Sequence, residues 1–516
     1  MIIPDFLEKN ARVYPNRTAV IYQADNTRAT YREMVGRVYR LANGLMGLGI
    51  RKGDRVAIIQ DNCFEWLEMY VAIGKIGAVA TPLNYRLIGR ELADLINHSE
   101  SSALIVGQNF VEAILPLKDK MPSLRNYIVL GENVDGMVNY QELLDSSSSQ
   151  KPEVEVSRDD LFCLLYTGGT TGRPRGVMLT HHNLFSVCIT FIIEWGIPHH
   201  DDVNMIVTPL FHTGSNWPLF AGFMMGNTQV ILKGADFKTM FQTIEKEKVT
   251  YSLWLSAIVG LLINDPQMKE YDLSSLKLVM TGGGPLGEPQ LKRLIDLLGC
   301  RVAHGGGQTE TGDICHIRLE DHLNGPTERL GSAGQEAFNV EMKVVDEDDN
   351  EVSPGGVGEL CARGEAVMQG YWRMPEETEK SMRGGWQHTG DLVRIDEEGF
   401  IYYVDRLKDM IKSGGENVYS KELEDVIYAL PQVAEVAVIG VPDEKWGESV
   451  KALVILKEGE RITEKEIIAH CRERLSGFKC PKSVDFHDQF PKTGLGKIAK
   501  NVLREKFWEG FERRIH

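Results

Sequence analysis

Residues Leu165–Gly176 read Leu-Tyr-Thr-Gly-Gly-Thr-Thr-Gly-Arg-Pro-Arg-Gly and follow a short apolar run. This density of glycines and hydroxyls lets bare backbone amides wrap a polyphosphate, and Arg175 can add positive charge. Gly172 is followed by Arg-Pro rather than by Lys-Ser or Lys-Thr, so the segment is not a Walker A loop. The pattern indicates a phosphate-binding loop after a strand, and an ordinary flexible turn is the alternative.

On both sides of this loop, short apolar runs alternate with helical patterns. Such alternation favours βα units with parallel sheets, so we predict an α/β fold built of βα-layered sheets. The serine-rich stretch 145–156 is typical of a surface loop. The predicted strands cover residues 55–59, 103–106, 127–130, 161–166, 205–207, 229–232 and 276–280.

The pattern changes twice in the last third of the chain. After Gly331, strands joined by acidic or glycine turns predict an antiparallel, barrel-like subdomain. From Ser420, a helical pattern, two strands and a capping box at Thr463 and Glu466 predict a small α+β domain. We expect a large N-terminal domain over residues 1–404, a hinge over 405–409 and a small, mobile C-terminal domain over 410–516.

The composition limits the class of protein. Of 516 residues, 43% are apolar and 25% are charged, which is typical of globular domains and not of disorder. A net charge of −16 argues against nucleic acid as a partner. The first residues lack a signal-peptide pattern and we find no segment long enough for a membrane span, so we predict a cytoplasmic protein. Eight cysteines without a CxxC pair predict free thiols.

Two further glycine clusters follow predicted strands. In Gly282-Gly283-Gly284, the missing side chains would let a flat ligand approach the backbone. Residues 304–311 read His-Gly-Gly-Gly-Gln-Thr-Glu-Thr, where Thr309 could contact phosphate and Glu310 could hold Mg²⁺, an ion that prefers oxygen ligands. Each cluster taken alone is more typical of a turn.

Three charged segments complete the candidate site. Asp391 follows a glycine turn, where an acid can accept both hydroxyls of a ribose. The segment 403–409, Tyr-Val-Asp-Arg-Leu-Lys-Asp, lies at the predicted domain boundary and is equally typical of a solvated linker. Lys497 lies in the glycine-rich run 491–498, and its compact charge suits an oxyanion in a transition state, although most surface lysines have no such task.

In this order and at these separations, the segments resemble the adenylate-forming superfamily of acyl-CoA synthetases, luciferases and peptide-synthetase adenylation domains. The resemblance extends over nearly the entire chain. It rests on the segments 167–176, 209–212 (Pro-Leu-Phe-His), 282–285, 308–310, 389–391, 405–409, 413–417 and 496–497.

The resemblance implies an ATP-dependent acid–CoA ligase. A carboxylate would attack the α-phosphorus of ATP to give an acyl-adenylate and diphosphate, and CoA would then displace AMP to give a thioester. The small domain would rotate about Lys408 between these half-reactions. Carried over by motif, the catalytic residues are Lys497, Glu310 (with Mg²⁺), Thr170 and His212; the ATP and AMP contacts are Thr167, Gly168, Gly169, Thr170, Thr171, Gly172, Arg175, Gly283, Gly284, Gly305, Gly306, Gln308, Thr309, Asp391 and Arg406; the acyl pocket has His212, Thr213, Trp217, Gly282 and Gly307; and the CoA channel has Ser413, Gly414, Gly415 and Glu416.

The chain departs from the family's pattern in two motifs. The family usually has serine at Gly168 and lysine at Arg175, and it usually has Tyr-Gly at Gly306-Gly307. We expect the lost loop hydroxyl to weaken triphosphate binding. The lost aromatic side chain is expected either to loosen the stacking of adenine or to enlarge the acyl pocket.

Other functions remain open at this level. The acyl-adenylate could pass to a carrier-protein thiol, although Gly414–Asn417 resembles the CoA ligases more, and a luciferase-like oxygenation is more remote. A non-catalytic acyl-nucleotide binder is a third alternative. The joint presence of four residues argues against it: Glu310, Asp391, Arg406 and Lys497. Whether the acid is fatty, alicyclic or aromatic, and whether the chain is a homodimer, is left open.

Two acidic segments have simpler readings. Residues 199–202, His-His-Asp-Asp, contain metal-type ligands, but adjacent side chains rarely converge on one ion, so a polar turn is preferred. Residues 346–351 lack the glycine-centred spacing of a calcium loop and predict an acidic hairpin turn.

Overall fold

Strands and helices alternate from Thr18 to Gln308, as the hydrophobic pattern predicts. The computed structural model describes residues 1–87, 89–167, 174–196, 199–283, 286, 288–318, 321, 327–413, 416–443, 445–492 and 497–509. Its strands are β1 Thr18–Tyr22, β2 Thr27–Thr30, β3 Arg55–Ile59, β4 Val79–Pro82, β5 Ser101–Gly107, β6 Asn126–Leu130, β7 Val138–Asn139, β8 Leu161–Thr167, β9 Arg175–Thr180, β10 Val203–Ile206, β11 Thr228–Ile231, β12 Tyr251–Leu255, β13 Leu278–Gly282, β14 Arg301–Gln308, β15 Gly312–His316, β16 Gln335–Glu336, β17 Val340–Val345, β18 Val357–Gly364, β19 Gln387–Ile395, β20 Ile401–Arg406, β21 Ile411–Ser413, β22 Glu416–Val418, β23 Val433–Asp443, β24 Gly447–Leu456 and β25 Ser483–Phe486.

Several helices begin at side chains that cap their first turn. The Thr463 hydroxyl accepts the Glu466 N–H while the Glu466 carboxylate accepts the Thr463 N–H, so the predicted capping box is confirmed. Such bonds satisfy amides that have no partner within the helix. The helices are α1 Asp5–Val13, α2 Tyr31–Gly47, α3 Trp66–Lys75, α4 Arg90–Ser99, α5 Val111–Ile114, α6 Tyr140–Ser146, α7 His181–Ile193, α8 Thr213–Met225, α9 Phe237–Glu247, α10 Ser256–Leu262, α11 Glu288–Leu298, α12 Pro375–Ser381, α13 Ser420–Tyr428, α14 Glu464–Arg472 and α15 Lys500–Trp508.

Two mostly parallel sheets build the large domain. Within the described residues, one has nine strands in the order β16-β15-β14-β13-β12-β10-β11-β1-β2, and the other has seven in the order β7-β6-β5-β3-β4-β8-β9. One continuous core joins them, with the rings of Tyr70, Phe162 and Phe220 in mutual contact. Strand β8 ends at Thr167 and β13 at Gly282, so two of the predicted motifs lie at carboxyl ends of strands, where open α/β sheets bind ligands.

The third glycine cluster lies in a strand. Residues Gly305–Gly307 run inside β14, between the parallel strand β13 and the antiparallel strand β15. A Cβ on Gly307 would collide with the Gly312 carbonyl, so close backbone approach explains the glycine there. The expectation of a turn is therefore wrong for Gly305–Gly307, because the neighbouring strands supply their hydrogen bonds, whereas Thr309–Thr311 does form a turn.

The predicted antiparallel subdomain is a four-stranded sheet in the order β17-β18-β19-β20. Its apolar face packs on Ile314 and Cys315 of β15, which attaches it to the nine-stranded sheet. The acidic stretch 346–351 is the β17–β18 turn, where the Asp346 carboxylate accepts the Asp348 and Asn350 N–H groups.

The small C-terminal domain is a five-stranded sheet with helices on both faces. Strands β22-β21-β24-β23 form its path and β25 pairs with β24. Leu423 and Ile467 from α13 and α14 pack on one face, and Leu503 from α15 packs on the other. The predicted α/β fold with a large N-terminal and a small C-terminal domain is confirmed, while the domain bounds stay a prediction. Across the described residues, no helix has the length and apolarity that crossing a bilayer requires.

Candidate active site

Two motif residues that are far apart in sequence meet beside the ends of β8 and β14. The Thr167 hydroxyl and the Tyr371 hydroxyl each donate a hydrogen bond to Glu310 Oε1, both at 3.2 Å. Burial raises the pKa of Glu310, and the two hydroxyls and the charge of Arg175 oppose that rise. Thr309 is buried beside Glu310. A carboxylate in these surroundings suits a hard cation such as Mg²⁺.

Arg175 starts β9, directly after the predicted phosphate loop. Its Nη2 donates to the Glu377 carboxylate at 2.6 Å, and its guanidinium lies 5.1 Å from the centre of the Tyr371 ring. Glu377 and Tyr371 therefore orient the arginine that the sequence assigns to phosphate. The other loop residues lie outside the described part of the chain, as do several assigned elsewhere: Gly168, Gly169, Thr170, Thr171, Gly172, Gly284, Gly414 and Gly415.

The predicted ribose residues lie together. Asp391 in β19 is paired in register with Arg406 in β20, and Arg406 Nε lies 3.2 Å from Asp391 Oδ1. Gln308 Nε2 donates to Asp391 Oδ2 at 2.6 Å and to the Thr389 carbonyl at 2.9 Å. Burial raises the pKa of Asp391, while Arg406, Gln308 and Lys497 favour its charged form. A buried carboxylate with these partners can accept hydrogen bonds from a diol.

Glu359 of β18 holds the turn that carries Asp391, and the sequence analysis missed it. Its Oε1 accepts the Gly390 N–H at 2.9 Å and its Oε2 lies 2.9 Å from His388 Nδ1. Cys361, two residues on along β18, lies 3.3 Å from the same imidazole nitrogen. Glu359, Cys361 and His388 have metal-type ligand atoms within 4.8 Å of one another, but Arg383 also contacts Glu359 at 3.3 Å. The spacing of Glu359 and Cys361 on one face of a strand is the only sequence signal for this cluster.

Lys497 brings the small domain into this site. Lys497 keeps part of its surface exposed to solvent, although protein surrounds its ammonium group. The protein that surrounds it lowers its pKa, Arg406 lowers the pKa further and Asp391 opposes the change. The pKa of His212 falls to about 4, chiefly through burial and secondarily through the charge of Lys497. The charge of Lys497 therefore acts on the ribose residues and on His212 alike.

Three of the predicted acyl-pocket residues, His212, Thr213 and Trp217, lie at the start of α8, whereas Gly282 ends β13 and Gly307 lies in β14 against Gly312. His212 caps α8, its Nδ1 accepting the Gly214 N–H at 3.1 Å. Thr213 and Trp217 are buried, and Trp217 Nε1 has no hydrogen-bond partner among the described residues. A Cβ on Gly282 would lie 3.0 Å from the Gly305 carbonyl, so this glycine reflects close strand packing.

Trp195, which follows α7, lies beside Gly305, and the sequence analysis missed this contact. Its ring stacks on Phe191 with centroids 5.1 Å apart, and its Nε1 donates to Asp313 Oδ2 at 2.5 Å. A Cβ on Gly305 would lie 2.5 Å from Trp195 Cζ2. Trp195 therefore covers Gly305 on the face that also carries Trp217, which contacts Phe191 edge-on. No local motif marks Trp195.

The predicted CoA hairpin and hinge lie on the small domain's side of the cleft. Ser413 pairs with Glu416 across the β21–β22 hairpin. Arg504 of α15 donates to the Lys408 carbonyl at 2.8 Å and forms an ion pair with Asp409, so the C-terminal helix holds the hinge segment. Burial lowers the pKa of Lys408, and the positive charge of Arg406 lowers it further.

The segment 199–202 forms a polar turn. The Asp202 N–H donates to the His199 carbonyl at 3.2 Å, and Asp202 pairs with Lys277 at 2.8 Å. The ring of His200 stacks on Tyr14 instead of turning toward these acids. The interpretation as a turn fits these contacts.

Comparison with known proteins assigns the family. The family described as AMP-binding enzyme matches residues 7–372, and the AMP-binding enzyme C-terminal domain matches residues 422–497. The chain belongs to the AMP-binding enzyme family. Feruloyl-CoA synthase from Amycolatopsis sp is 37% identical over 500 residues, covering 97% of this chain and 98% of that protein.

Two further similarities have the same full-length extent. The long-chain-fatty-acid–CoA ligase FadD13 of Mycobacterium tuberculosis is 34% identical, with 97% of both chains covered. The crystal structure of ATP-bound MatB from Rhodopseudomonas palustris superposes with a TM-score of 0.88 at 30% identity, covering 99% of this chain and all of that one. The predicted reaction class, ATP-dependent acid–CoA ligation by an AMP-forming acyl-CoA synthetase, is confirmed.

Proposed function

We propose that the chain joins a fatty, alicyclic or aromatic acid to CoA in two half-reactions at the cleft between its domains. The carboxylate attacks the α-phosphorus of ATP and diphosphate leaves; the CoA thiolate then attacks the acyl carbon and AMP leaves. The observation that carries this proposal is the buried Asp391 held by Gln308 and Arg406, with the charge of Lys497 acting on both Asp391 and His212.

Each half of the cleft has its own task. Asp391, supported by Gln308 and Arg406, holds the ribose, and Gly283, Gly305 and Gly306 border the adenine. Thr167 and Arg175 flank the phosphate chain, and Lys497 neutralises the charge that develops between carboxylate and α-phosphate. His212 borders the entrance of the acyl pocket. Its imidazole is uncharged at neutral pH because its pKa is about 4.

Glu310 fits a resident Mg²⁺. Its carboxylate is already surrounded by protein, accepts two hydroxyl hydrogen bonds and lies near a single arginine, so a cation would offset its cost of burial. When bound there, Mg²⁺ supplies positive charge to the phosphates. Thr167 and Tyr371 hold Oε1 of Glu310 in place through their hydrogen bonds.

The small domain serves both half-reactions. Lys497 and the Ser413–Glu416 hairpin belong to the same domain, so a rotation about Lys408 would withdraw the lysine and bring the hairpin to the CoA channel. The ion pair between Lys412 and Glu347, at 2.8 Å, joins the two domains in the orientation described here. A cytoplasmic location and a homodimer stay predictions from the sequence.

Incubating the protein with MgATP, CoA and a pool of fatty, alicyclic and aromatic acids tests the reaction directly. Mass spectrometry should find a new acyl-CoA. An acyl-adenylate without thioester would indicate transfer to a carrier protein instead. Neither product, together with measurable ATP binding, would indicate a non-catalytic binder.

A variant at Lys497 tests the division between half-reactions. In Lys497→Ala we expect diphosphate release to fall about a hundred-fold or more, while conversion of a supplied acyl-adenylate with CoA is largely kept. Lys492→Ala is the control, since Lys492 pairs with Glu435 at 2.9 Å on the small domain's surface. Equal loss of both half-reactions in Lys497→Ala would contradict the proposal.

A further inference from the structure

Gly305 and Gly306 are consecutive residues of β14, so side chains at these two positions would point to opposite faces of the strand. Trp195 occupies the space beside Gly305. On the other face, a Cβ on Gly306 would lie 2.9 Å from the Tyr403 hydroxyl oxygen, 3.1 Å from Tyr403 Cε2 and 3.3 Å from Cys315 Sγ. A tyrosine from a different strand therefore fills the space that Gly306 leaves.

Tyr403 is anchored at one end and open at the other. It lies in β20, and its hydroxyl forms a hydrogen bond with the Cys315 thiol, which also contacts the Gly306 carbonyl at 3.6 Å. The residue still keeps 38% of its surface exposed. An aromatic ring fixed at its tip and exposed along its side offers a binding surface to a flat ligand.

The ribose residues surround this ring. Tyr403 pairs with Val393 two residues beyond Asp391 in β19, and Arg406 is three residues further along β20. The charge of Asp391 acts directly on the Tyr403 hydroxyl. In a nucleoside the base is bonded to C1′, which is next to the carbon that carries the 2′-hydroxyl. A ribose held by Asp391 therefore brings its base to the surface formed by Gly306 and Tyr403.

We propose that Tyr403 stacks on the adenine and so supplies, from β20, the aromatic contact that Gly306 cannot. This inference rests on the proposed function, because it takes the Asp391–Arg406 pair as the ribose site. It also replaces the expectation that a glycine at 306 loosens the stacking of adenine. Tyr403 is then a positioning residue for the nucleotide, with no part in bond making.

Binding of AMP and of ribose 5-phosphate, measured by calorimetry, tests the proposal without turnover. In Tyr403→Ala, AMP should bind roughly 10- to 100-fold more weakly, the range expected for loss of one base–aromatic stack, while ribose 5-phosphate binds unchanged. KM for ATP should rise by a similar factor, with KM for the acid unchanged. Equal weakening of AMP and ribose 5-phosphate would overturn the proposal, as would unchanged AMP binding.

Three companion variants guard against a merely structural effect. Tyr403→Phe keeps the ring and should restore most of the AMP affinity. The double variant Gly306→Tyr with Tyr403→Gly moves the ring to β14 and should recover at least tenfold over Tyr403→Ala; no recovery by either variant would overturn the proposal. Tyr402→Ala is the matched control, because the Tyr402 ring lies against Arg394 at 4.2 Å and its hydroxyl donates to Asp396.

The same titrations separate two kinds of failure. If the unaltered protein bound neither AMP nor ATP, the proposed function itself would fail. If it bound AMP and Tyr403→Ala bound AMP equally well, the ligase assignment would stand and only the role of Tyr403 would be lost.

Discussion

Gly305 and Gly306 are neighbours in one strand, yet the spaces beside them are filled in different ways. Trp195, beside Gly305, is only 2% exposed and is held by Phe191 and Asp313, whereas Tyr403, beside Gly306, is 38% exposed. A buried, close-packed ring cannot move aside, but a partly exposed one can. The Trp195 face of β14 is therefore a rigid wall and the Tyr403 face an adjustable one.

The largest effect should follow from adding one methyl group to the rigid face. In Gly305→Ala the new Cβ would lie 2.5 Å from Trp195 Cζ2 and 2.7 Å from the Cys315 carbonyl, so both a packed ring and a backbone must shift. We expect a loss of about 3 kcal/mol in the free energy of unfolding, measured by urea denaturation.

Gly306→Ala is the matched control for that variant. Its Cβ would meet the far end of the Tyr403 side chain and the Cys315 thiol, which can move by a few tenths of an ångström. Its loss of stability should stay below about 1 kcal/mol. Equal losses in the two variants would contradict the difference between the faces.

A smaller effect is expected from Trp195→Phe. The substitution keeps a ring beside Phe191 but removes the N–H that Asp313 accepts, which leaves a buried carboxyl without this donor and costs about 2 kcal/mol. The smaller ring also leaves room beside Gly305. Because of this added room, kcat/KM for bulky acids should rise relative to kcat/KM for slender acids, while KM for ATP stays constant.

Trp254→Phe serves as the control for Trp195→Phe. Trp254 is fully buried, and its Nε1 has no hydrogen-bond partner in the described part of the chain, so the variant removes a similar volume without breaking a hydrogen bond. It packs in a different apolar cluster from the acyl residues. A shift in acid preference with Trp254→Phe as large as with Trp195→Phe would assign the effect to general loosening.

Residues that recur in motifs could be predicted from the sequence, and residues that fill space could not. The predicted strands 161–166 and 276–280 lie within two residues of the observed β8 and β13, and the glycine motifs follow them as the hydrophobic pattern indicates. The capping box at Thr463 is equally local. Such features depend on residues close in sequence or on a repeated backbone geometry. The pairing of Asp391 with Arg406 across β19 and β20 was not predicted.

Trp195 and Tyr403 depend on contacts that no local pattern encodes. Trp195 lies 110 positions before Gly305, and Tyr403 lies 97 positions after Gly306. Each ring reaches its glycine only through the packing of segments that are distant in sequence. The sequence analysis treated the segment with Tyr403 as a domain boundary for the same reason. A glycine in a strand indicates close approach without naming the neighbour.

A pH-dependent effect concerns the support of the rigid wall. Burial raises the pKa of Asp313 to about 7, opposed by His316 and the Trp195 N–H and assisted by Glu194. Because an unfolded aspartate titrates near pH ~4, the folded chain holds a proton that the unfolded chain has lost between about pH 4 and 7, and the free energy of unfolding falls by up to about 1.4 kcal/mol per pH unit over that range. Asp313→Asn keeps an acceptor for Trp195 but cannot titrate. The stability of Asp313→Asn relative to the unaltered protein, measured as the difference between their urea midpoints at pH 5, 6 and 7, should therefore grow as the pH rises. A difference that does not change with pH would mean that Asp313 is ionised throughout and that the rigid wall rests on packing alone.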